Sequence, residues 1–362
     1  MISSQVRRVV LKGFKSIAKM ELELGPLTVM IGANGAGKSN FLGLFEMMRN
    51  MAESNLQVYI GKAGGADRVL HYGQKTTDAL EIEIEGESFN YRCRLVPTSN
   101  DSLVFERETL TNGESQRELL KGGNRESLME ETDFSEGDDK GEEFSLVGVM
   151  KRWNVYHFND TSDSARVKKN AVIDDNRVLR TDGSNIAAIL SLFRKKHDAH
   201  YRNIVDTVRM AAPFFDDFVL EPSKLKQDTI KLEWRHRESD AYFDAAALSD
   251  GTLRFICLAA LLQGPELPPV ILLDEPELGL HPYALTLLSG MIRGAAAKTQ
   301  VIVSTQSVGL VNQCAPEDIV VVDREKGESR FRRLTSEELS GWLEDYGLGE
   351  LWEKNVFGGR PN

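Results

Sequence analysis

The strongest chemical signal in this 362-residue sequence is the stretch GANGAGKS, which runs from Gly32 to Ser39. It fits the pattern G-x-x-x-x-G-K-[ST] and lies between an apolar run and a segment with helical spacing. Glycines let the backbone wrap closely around a phosphate chain, and loop N–H groups can point at the anion. The pattern predicts that Lys38 reaches the β- and γ-phosphates of a nucleotide and that the Ser39 hydroxyl ligates Mg²⁺. The predicted phosphate-binding residues are Gly32, Ala33, Asn34, Gly35, Ala36, Gly37, Lys38, Ser39 and Asn40.

A second signal is the stretch ILLDEPE, in which Asp274 and Glu275 end an apolar run. Adjacent acids at a strand end are also common as caps and turns, but together with the glycine loop they favour a nucleotide site. In that site Asp274 is expected to hold Mg²⁺ and Glu275 to act as the general base that polarises the attacking water.

A third signal is LSDGT, from Leu248 to Thr252, about twenty residues before the acidic pair. It resembles the LSGGQ signature of ABC-type ATPases, with Asp250 and Thr252 as departures. The resemblance implies that Ser249 and Gly251 bind the γ-phosphate held by a second copy, so that two chains pack head to tail. Taken alone, the same residues are typical of a helix cap.

These motifs together resemble the ATPase heads of SMC, RecF and OLD-type proteins, in which an opening LKGFKSI strand, GxNGxGKSN, an LSDGT-like signature and DEPExGLHP recur. The match covers residues 1–95 and about 180–325, and implies ATP and Mg²⁺ as ligands and a homodimer across the nucleotide. By this likeness Lys15 contacts the phosphates, with an ordinary surface lysine as the alternative. Gln74 is placed near the family's Q-loop and so near Mg²⁺. The closing stretch is similar to small stand-alone ATPases of this group.

The stretch VIVSTQS departs from the resemblance, because relatives usually carry His where this chain has Gln306. A Gln amide can donate to a phosphate oxygen and orient water, but it cannot carry a proton. We therefore expect Gln306 to assist catalysis while Glu275 remains the base. The alternative is that Gln306 only fixes the strand end.

The net charge of −11 is unevenly distributed, since residues 126–143 contain nine acids and one lysine. That segment is typical of a solvated loop, and the remainder allows basic patches. The three cysteines lie far apart with no paired spacing, so the sequence suggests neither a disulfide framework nor a zinc site. No apolar run is long enough to span a bilayer, so a cytoplasmic protein without a membrane partner is expected.

Buried strands that alternate with helices predict an α/β fold. The expected architecture is a P-loop NTPase of the ABC-ATPase head type, with a mixed sheet core and an inserted α/β lid region. The predicted division is 1–95 (lobe with the phosphate loop), 96–215 (insertion with the acidic loop and a helical segment), 216–333 (lobe with signature, acidic pair and Gln306) and 334–362 (tail). Turns are expected at Gly13 and at Gly25-Pro26, and one helical segment from about Ser184 to Pro213.

Two functions from different classes fit these observations. The first is an ATP-driven dimerisation switch that acts on DNA, in repair, chromosome maintenance or anti-phage defence. The second is an ATP sensor that gates a separate effector protein without binding DNA. A transporter motor is disfavoured by the opening strand and the signature. Polar insertion residues such as His157, Asp160 and Asp175 are interpreted as strand ends and turns beside a lid rather than as a second active site.

Overall fold

A computed structural model describes residues 5–112, 115–130 and 146–360 of the chain. It contains two six-stranded sheets, with smaller sheets of three and two strands. The strands, in chain order, are Val6–Phe14 (β1), Ile17–Glu23 (β2), Leu27–Ile31 (β3), Leu80–Gly86 (β4), Phe89–Pro97 (β5), Leu103–Asn112 (β6), Ser115–Asn124 (β7), Asn154–Tyr156 (β8), Ala171–Val172 (β9), Phe215–Val219 (β10), Thr229–Ile230 (β11), Glu233–His236 (β12), Tyr242–Asp244 (β13), Val270–Asp274 (β14), Gln300–Thr305 (β15), Ile319–Glu325 (β16) and Glu328–Arg333 (β17).

The helices connect these strands or pack on the sheets. They are Lys38–Ala52 (α1), Leu56–Ala63 (α2), Ala66–Val69 (α3), Leu146–Met150 (α4), Ile186–Lys196 (α5), Asp198–Ala211 (α6), Asp250–Leu262 (α7), Pro282–Ala296 (α8), Val308–Val311 (α9) and Leu348–Glu353 (α10).

The central sheet has the strand order β17-β16-β3-β15-β14-β8 and is parallel except for β17. Apart from the edge strand β17, which is charged and partly exposed, these strands are mostly apolar and buried, as parallel strands covered on both faces must be. In β14, for example, Val270 and Leu272 face one core while Ile271 and Leu273 face the other. The carboxyl ends of β3, β15, β14 and β8 therefore meet at one edge, where open α/β sheets bind ligands.

The second large sheet is antiparallel, with the order β2-β1-β4-β5-β6-β7. Its apolar face packs with α1 in one core, which also takes in one face of the central sheet. Helices α5 to α8 belong to the other core, on the opposite face of the central sheet. The mixed α/β fold predicted from the sequence is confirmed.

Several local predictions were wrong. Gly13 lies within β1, and the chain turns instead at Lys15, whose φ of 47° is left-handed. The single helical segment is two helices, because the backbone leaves helical geometry at His197, which separates α5 from α6. Strands β6 and β7 were not foreseen. Since β5 pairs with β6, the hydrogen-bonded sheet crosses the predicted boundary at residue 95, and the four-part division stays a prediction.

The first residues of the acidic segment are structured rather than solvated. The Glu126 carboxylate accepts from the N–H groups of Leu56 (2.7 Å) and Gln57 (3.1 Å) at the start of α2. A carboxylate is favourable there because the helix N-terminus carries unpaired N–H groups and positive partial charge. Residues 131–143 of that segment lie outside the described residues. Within the described ranges, no helix combines the length and the apolar character needed to cross a membrane.

Candidate functional site

The phosphate loop connects β3 to α1, and it consists of Gly32, Ala33, Asn34, Gly35, Ala36 and Gly37. Gly37 precedes the helix with φ 122°, and a Cβ there would lie 2.1 Å from Ser329 Oγ, so only glycine fits. Ser329 Oγ donates to Ala36 O (2.5 Å) and contacts Ser16 Oγ (2.6 Å). The Asn40 amide donates to Ser16 Oγ (2.6 Å), so the Asn40 side chain supports the loop from behind.

Lys38 lies in the cradle of this loop. Its ammonium donates to Gly32 O (2.6 Å) and to Ala33 O (3.1 Å), and the side chain is buried. Burial lowers the pKa of Lys38, while the carboxylates that follow β14 oppose this shift. An ammonium held by carbonyl oxygens can exchange them for phosphate oxygens, because hydrogen bonds to an ionised acceptor are stronger.

Asp274, at the end of β14, meets the phosphate loop. The Ser39 hydroxyl donates to Asp274 Oδ2 at 3.4 Å, and His157 Nδ1 lies 3.6 Å from the same oxygen. Asp274 Oδ1 is buried with no hydrogen-bond partner among the described residues. A hydroxyl and a carboxylate with a free oxygen are ligands that suit Mg²⁺, so the residues present fit that ion.

Glu275 has a left-handed backbone, with φ 48°, and its N–H donates to Ser304 O (2.8 Å) on the neighbouring β15. Non-glycine residues in this region are strained and concentrate at functional sites. The side-chain amide of Gln306, which follows β15, donates to Glu275 Oε1. The structure thus brings the two predicted catalytic residues into direct contact.

Glu277 is a buried carboxylate that the sequence analysis did not single out. Its Oε1 accepts from Thr305 Oγ1 (2.5 Å) and from the backbone N–H of Gln306 (2.9 Å). Burial raises the pKa of Glu277, and these two hydrogen bonds partly oppose the shift. Glu277 fixes the end of β15, and therefore Gln306, against the segment that follows Glu275.

The signature residues lie at the start of α7. Ser249 is the N-cap, and its hydroxyl accepts from Thr252 N–H (3.2 Å) and contacts Thr252 Oγ1 (2.8 Å). Gly251 packs so closely that a Cβ there would lie 2.2 Å from Gly279 O. Among the described residues, no hydrogen bond joins Ser249 or Gly251 to the phosphate loop of the same chain. Ser249 therefore caps α7, and this does not conflict with the signature interpretation, in which it binds a nucleotide held by a second copy.

Lys15 and Gln74 are two further residues that the resemblance assigns to the site. Lys15 Nζ is 3.3 Å from the position of a Cβ on Gly43, in the second turn of α1, and burial lowers its pKa although Glu46 is near. The Gln74 side chain is exposed, and its backbone N–H donates to Asp67 Oδ1 (2.8 Å). Their assigned roles stay predictions.

His157 lies beside Asp274, whereas the sequence analysis interpreted it as a strand end or turn beside a lid and gave it no place in the site. It directly follows β8, and β8 pairs in parallel with β14. The sequence did contain one signal, namely the apolar strand pattern before His157. If β8 had been assigned to the central sheet, that assignment would have placed the end of β8 beside Asp274.

Three features define a P-loop ATPase of the ABC head type. They are a glycine loop after β3, an acidic pair at the end of β14, and the helix α7, whose Ser249 cap makes no described hydrogen bond to the phosphate loop. Solved structures agree on the fold. The chain is similar to an Smc head bound to the C-terminal winged-helix domain of ScpA, with a TM-score of 0.62, 18% identity, and 92% and 99% of the two chains covered. An Smc head with extended coiled coil bound to ScpA from Pyrococcus furiosus has a TM-score of 0.62, 15% identity and coverage of 95% and 99%.

More particularly, the chain belongs to the family described as AAA domain, putative AbiEii toxin, Type IV TA system, whose profile matches residues 27–312. A shorter similarity links it to ABC transporter A family member 11 of Dictyostelium discoideum, at 36% identity over 76 residues. That stretch spans only 21% of this chain and 9% of the transporter protein.

Proposed function

We propose that this protein is a Mg²⁺-dependent ATPase that pairs head to tail when ATP is bound and separates after hydrolysis. The observation that carries the proposal is the convergence of Ser39, Asp274, Glu275 and Gln306 on the phosphate loop. The Ser249 cap lies outside that group, and in the proposed dimer the Ser249 of a second copy completes the site.

The roles of the residues follow from their contacts. Lys38 exchanges its two carbonyl partners for phosphate oxygens when ATP enters the loop. Ser39 and Asp274 would hold Mg²⁺, which, when bound, offsets the charge of the phosphates. Glu275 accepts a proton from the attacking water, and Gln306 holds the Glu275 carboxylate in place.

The sharpest test separates binding from hydrolysis. We expect Lys38→Ala to lose ATP binding and Glu275→Gln to keep it while accumulating an ATP-bound dimer, measured with a fluorescent nucleotide and by sedimentation. Unchanged steady-state turnover in Glu275→Gln would remove Glu275 from the catalytic role.

The surface near the signature supports pairing. Leu278 lies within the segment ELGLHP (Glu277–Pro282) and Tyr283 directly follows it, and these two large hydrophobic residues are 38% and 53% exposed. Ser249→Arg should bind ATP without pairing, and adding Lys38→Ala chains should rebuild one complete site per heterodimer. If heterodimers form and remain inactive, the shared site is wrong.

We further propose that the switch acts on DNA, in a cytoplasmic repair, chromosome-maintenance or anti-phage setting. Arg152, Arg177 and Lys196 line a groove of about 550 Å³ beside β8 and α5, and none pairs with a described carboxylate, although Glu266 also lines it. Cations free of partners can replace the counterions of a phosphate backbone. The arginines of the antiparallel sheet differ, since Arg92, for example, pairs with Glu83 (2.9 Å).

An electrophoretic shift with ATP tests this proposal. We expect binding that weakens as salt rises, and that weakens further in the triple substitution of Arg152, Arg177 and Lys196 by Ala, but not in Arg92→Ala. If no salt-dependent shift occurs, the alternative gains, namely an ATP sensor that gates a separate effector protein.

A further inference from the structure

Lys168, in the turn Arg166–Lys168 between β8 and α5, is a buried lysine outside the site described above. Its side chain is only 8% exposed. Its ammonium donates to Thr161 O (2.6 Å) and lies 3.8 Å from Asp250 Oδ1. Burying an ammonium costs free energy unless anionic or polar groups compensate, so this position calls for an explanation.

Asp250 presents a complementary problem. It is the first residue of α7 and directly follows the Ser249 cap, with 62% of its side chain exposed. A carboxylate suits a helix N-terminus by itself. It opposes an incoming phosphate, however, because like charges brought together at an interface repel each other.

We propose that Lys168 is a positioning residue that neutralises Asp250, so that the signature of one chain can accept the γ-phosphate bound by its partner. This inference rests on the proposed head-to-tail function and assigns a role to Lys168, which lies in the predicted insertion. It also explains how the chain tolerates an acid at this position of the signature.

The neighbouring cations are engaged elsewhere, which singles out Lys168. Lys169 Nζ donates to Asp163 O (2.8 Å), and Lys231 pairs with Asp244 (2.8 Å). Of these three lysines, only Lys168 lies within 4.0 Å of the Asp250 carboxylate. Asp160 also attracts the Lys168 ammonium, but its carboxylate is bonded to the N–H (3.2 Å) and hydroxyl (2.7 Å) of Ser162.

The backbone that carries Lys168 is held in place by the signature helix. Arg254, one turn into α7, donates to Phe158 O (2.9 Å) and Asn159 O (2.9 Å), and also to Leu278 O (2.7 Å). Since Lys168 bonds to Thr161 O in the same loop, the ammonium is pre-positioned over the start of α7. The loop that begins at His157, beside Asp274, thus reaches from the nucleotide site of the chain to the start of its signature helix α7.

A double-substitution cycle tests the proposal in the Glu275→Gln background, where the ATP-bound dimer accumulates. Sedimentation with ATP and Mg²⁺ would measure dimer dissociation for the parent, Lys168→Met, Asp250→Asn and the double variant. We expect Lys168→Met to weaken the dimer about 10-fold to 100-fold and Asp250→Asn to leave it equal or tighter. The double variant should return to within about 3-fold of the parent, because it has no carboxylate left to neutralise.

The other outcomes overturn the proposal. If Lys168→Met has no effect, or if the double variant is as weak as Lys168→Met, then Lys168 does not act through Asp250. Binding of a fluorescent ATP analogue to the monomer should be unchanged throughout, since the phosphate loop is intact. A parent that binds ATP yet stays monomeric would overturn the proposed function and this inference together, whereas a dimeric parent without rescue would overturn this inference alone.

Discussion

At the scale of single residues, the site depends on how Glu275 is held. Its backbone is left-handed, and the Gln306 amide donates to its Oε1. An amide donor can position a carboxylate without exchanging protons with it. In the proposed mechanism, Gln306 takes the place of the histidine that related sequences usually carry, as a group that orients, while Glu275 accepts the proton from water.

Gln306→Ala tests this role. Losing one positioned donor typically slows a reaction by about 10²-fold to 10³-fold, and we expect single-turnover hydrolysis to slow by up to that amount with ATP affinity unchanged. Gln306→His is the matched control, because it restores a donor at the same place and should retain most of the rate. Equal rates for the parent and Gln306→Ala would show that the residue only fixes the strand end.

At the scale of elements, the start of α7 packs against the segment after Glu277 with no space between the two backbones. Gly251 and Gly279 approach so closely that a methyl group on Gly251 would overlap Gly279 O. Arg254 adds a hydrogen bond from α7 to Leu278 O. The signature helix and the acidic strand β14 are therefore coupled mechanically, through one short loop.

Gly251→Ala should disturb this coupling. The added Cβ would have to displace backbone, so we expect a loss of stability of about 1–3 kcal/mol and weaker ATP-dependent pairing, with nucleotide binding to the monomer retained. Gly290→Ala is the control, since it lies in α8 with no atom within 4 Å of the new Cβ. That change should be neutral or slightly stabilising. Similar dimerisation of both variants would contradict the coupling.

The elements that the sequence could predict were those with a strong local pattern. The apolar run before Gly32, the helix after it and the strand before Asp274 are all confirmed. The pairing of distant strands has no local signal, so the position of β8 beside β14, and hence of His157 beside Asp274, could not be read from the sequence. The break between α5 and α6 was also missed, because His197 is neither glycine nor proline and so gives no signal that a helix ends.

At the scale of the whole molecule, the central sheet lies between two hydrophobic cores. Strands β14 and β15, whose ends carry the proposed catalytic residues, therefore contact both cores. The core shared by the antiparallel sheet and α1 encloses a buried carboxylate. Glu108 in β6 is fully buried, and its carboxylate accepts from Tyr91 OH (2.7 Å), from Leu128 N–H (3.0 Å) and from the Ser127 hydroxyl. These bonds satisfy the group but do not remove its desolvation.

Glu108 should therefore make the stability of the protein depend on pH. Burial raises the pKa of the Glu108 carboxyl above its ordinary value, so the folded state binds the proton more tightly than the unfolded state. The stabilisation this provides is complete below the unfolded pKa and is lost as pH rises through the folded pKa.

Glu108→Gln has no proton to lose, and its amide can donate to Tyr91 and Ser127 while accepting from Leu128. We expect the free energy of unfolding in urea, variant minus parent, to increase from pH 4 toward pH 7. Exposed Glu53, changed to Gln, is the control and should show no such trend. Glu277 contributes in the same direction, but it is present in every variant and cancels in the difference, so a flat difference for Glu108→Gln would show that the buried carboxyl does not titrate in this range.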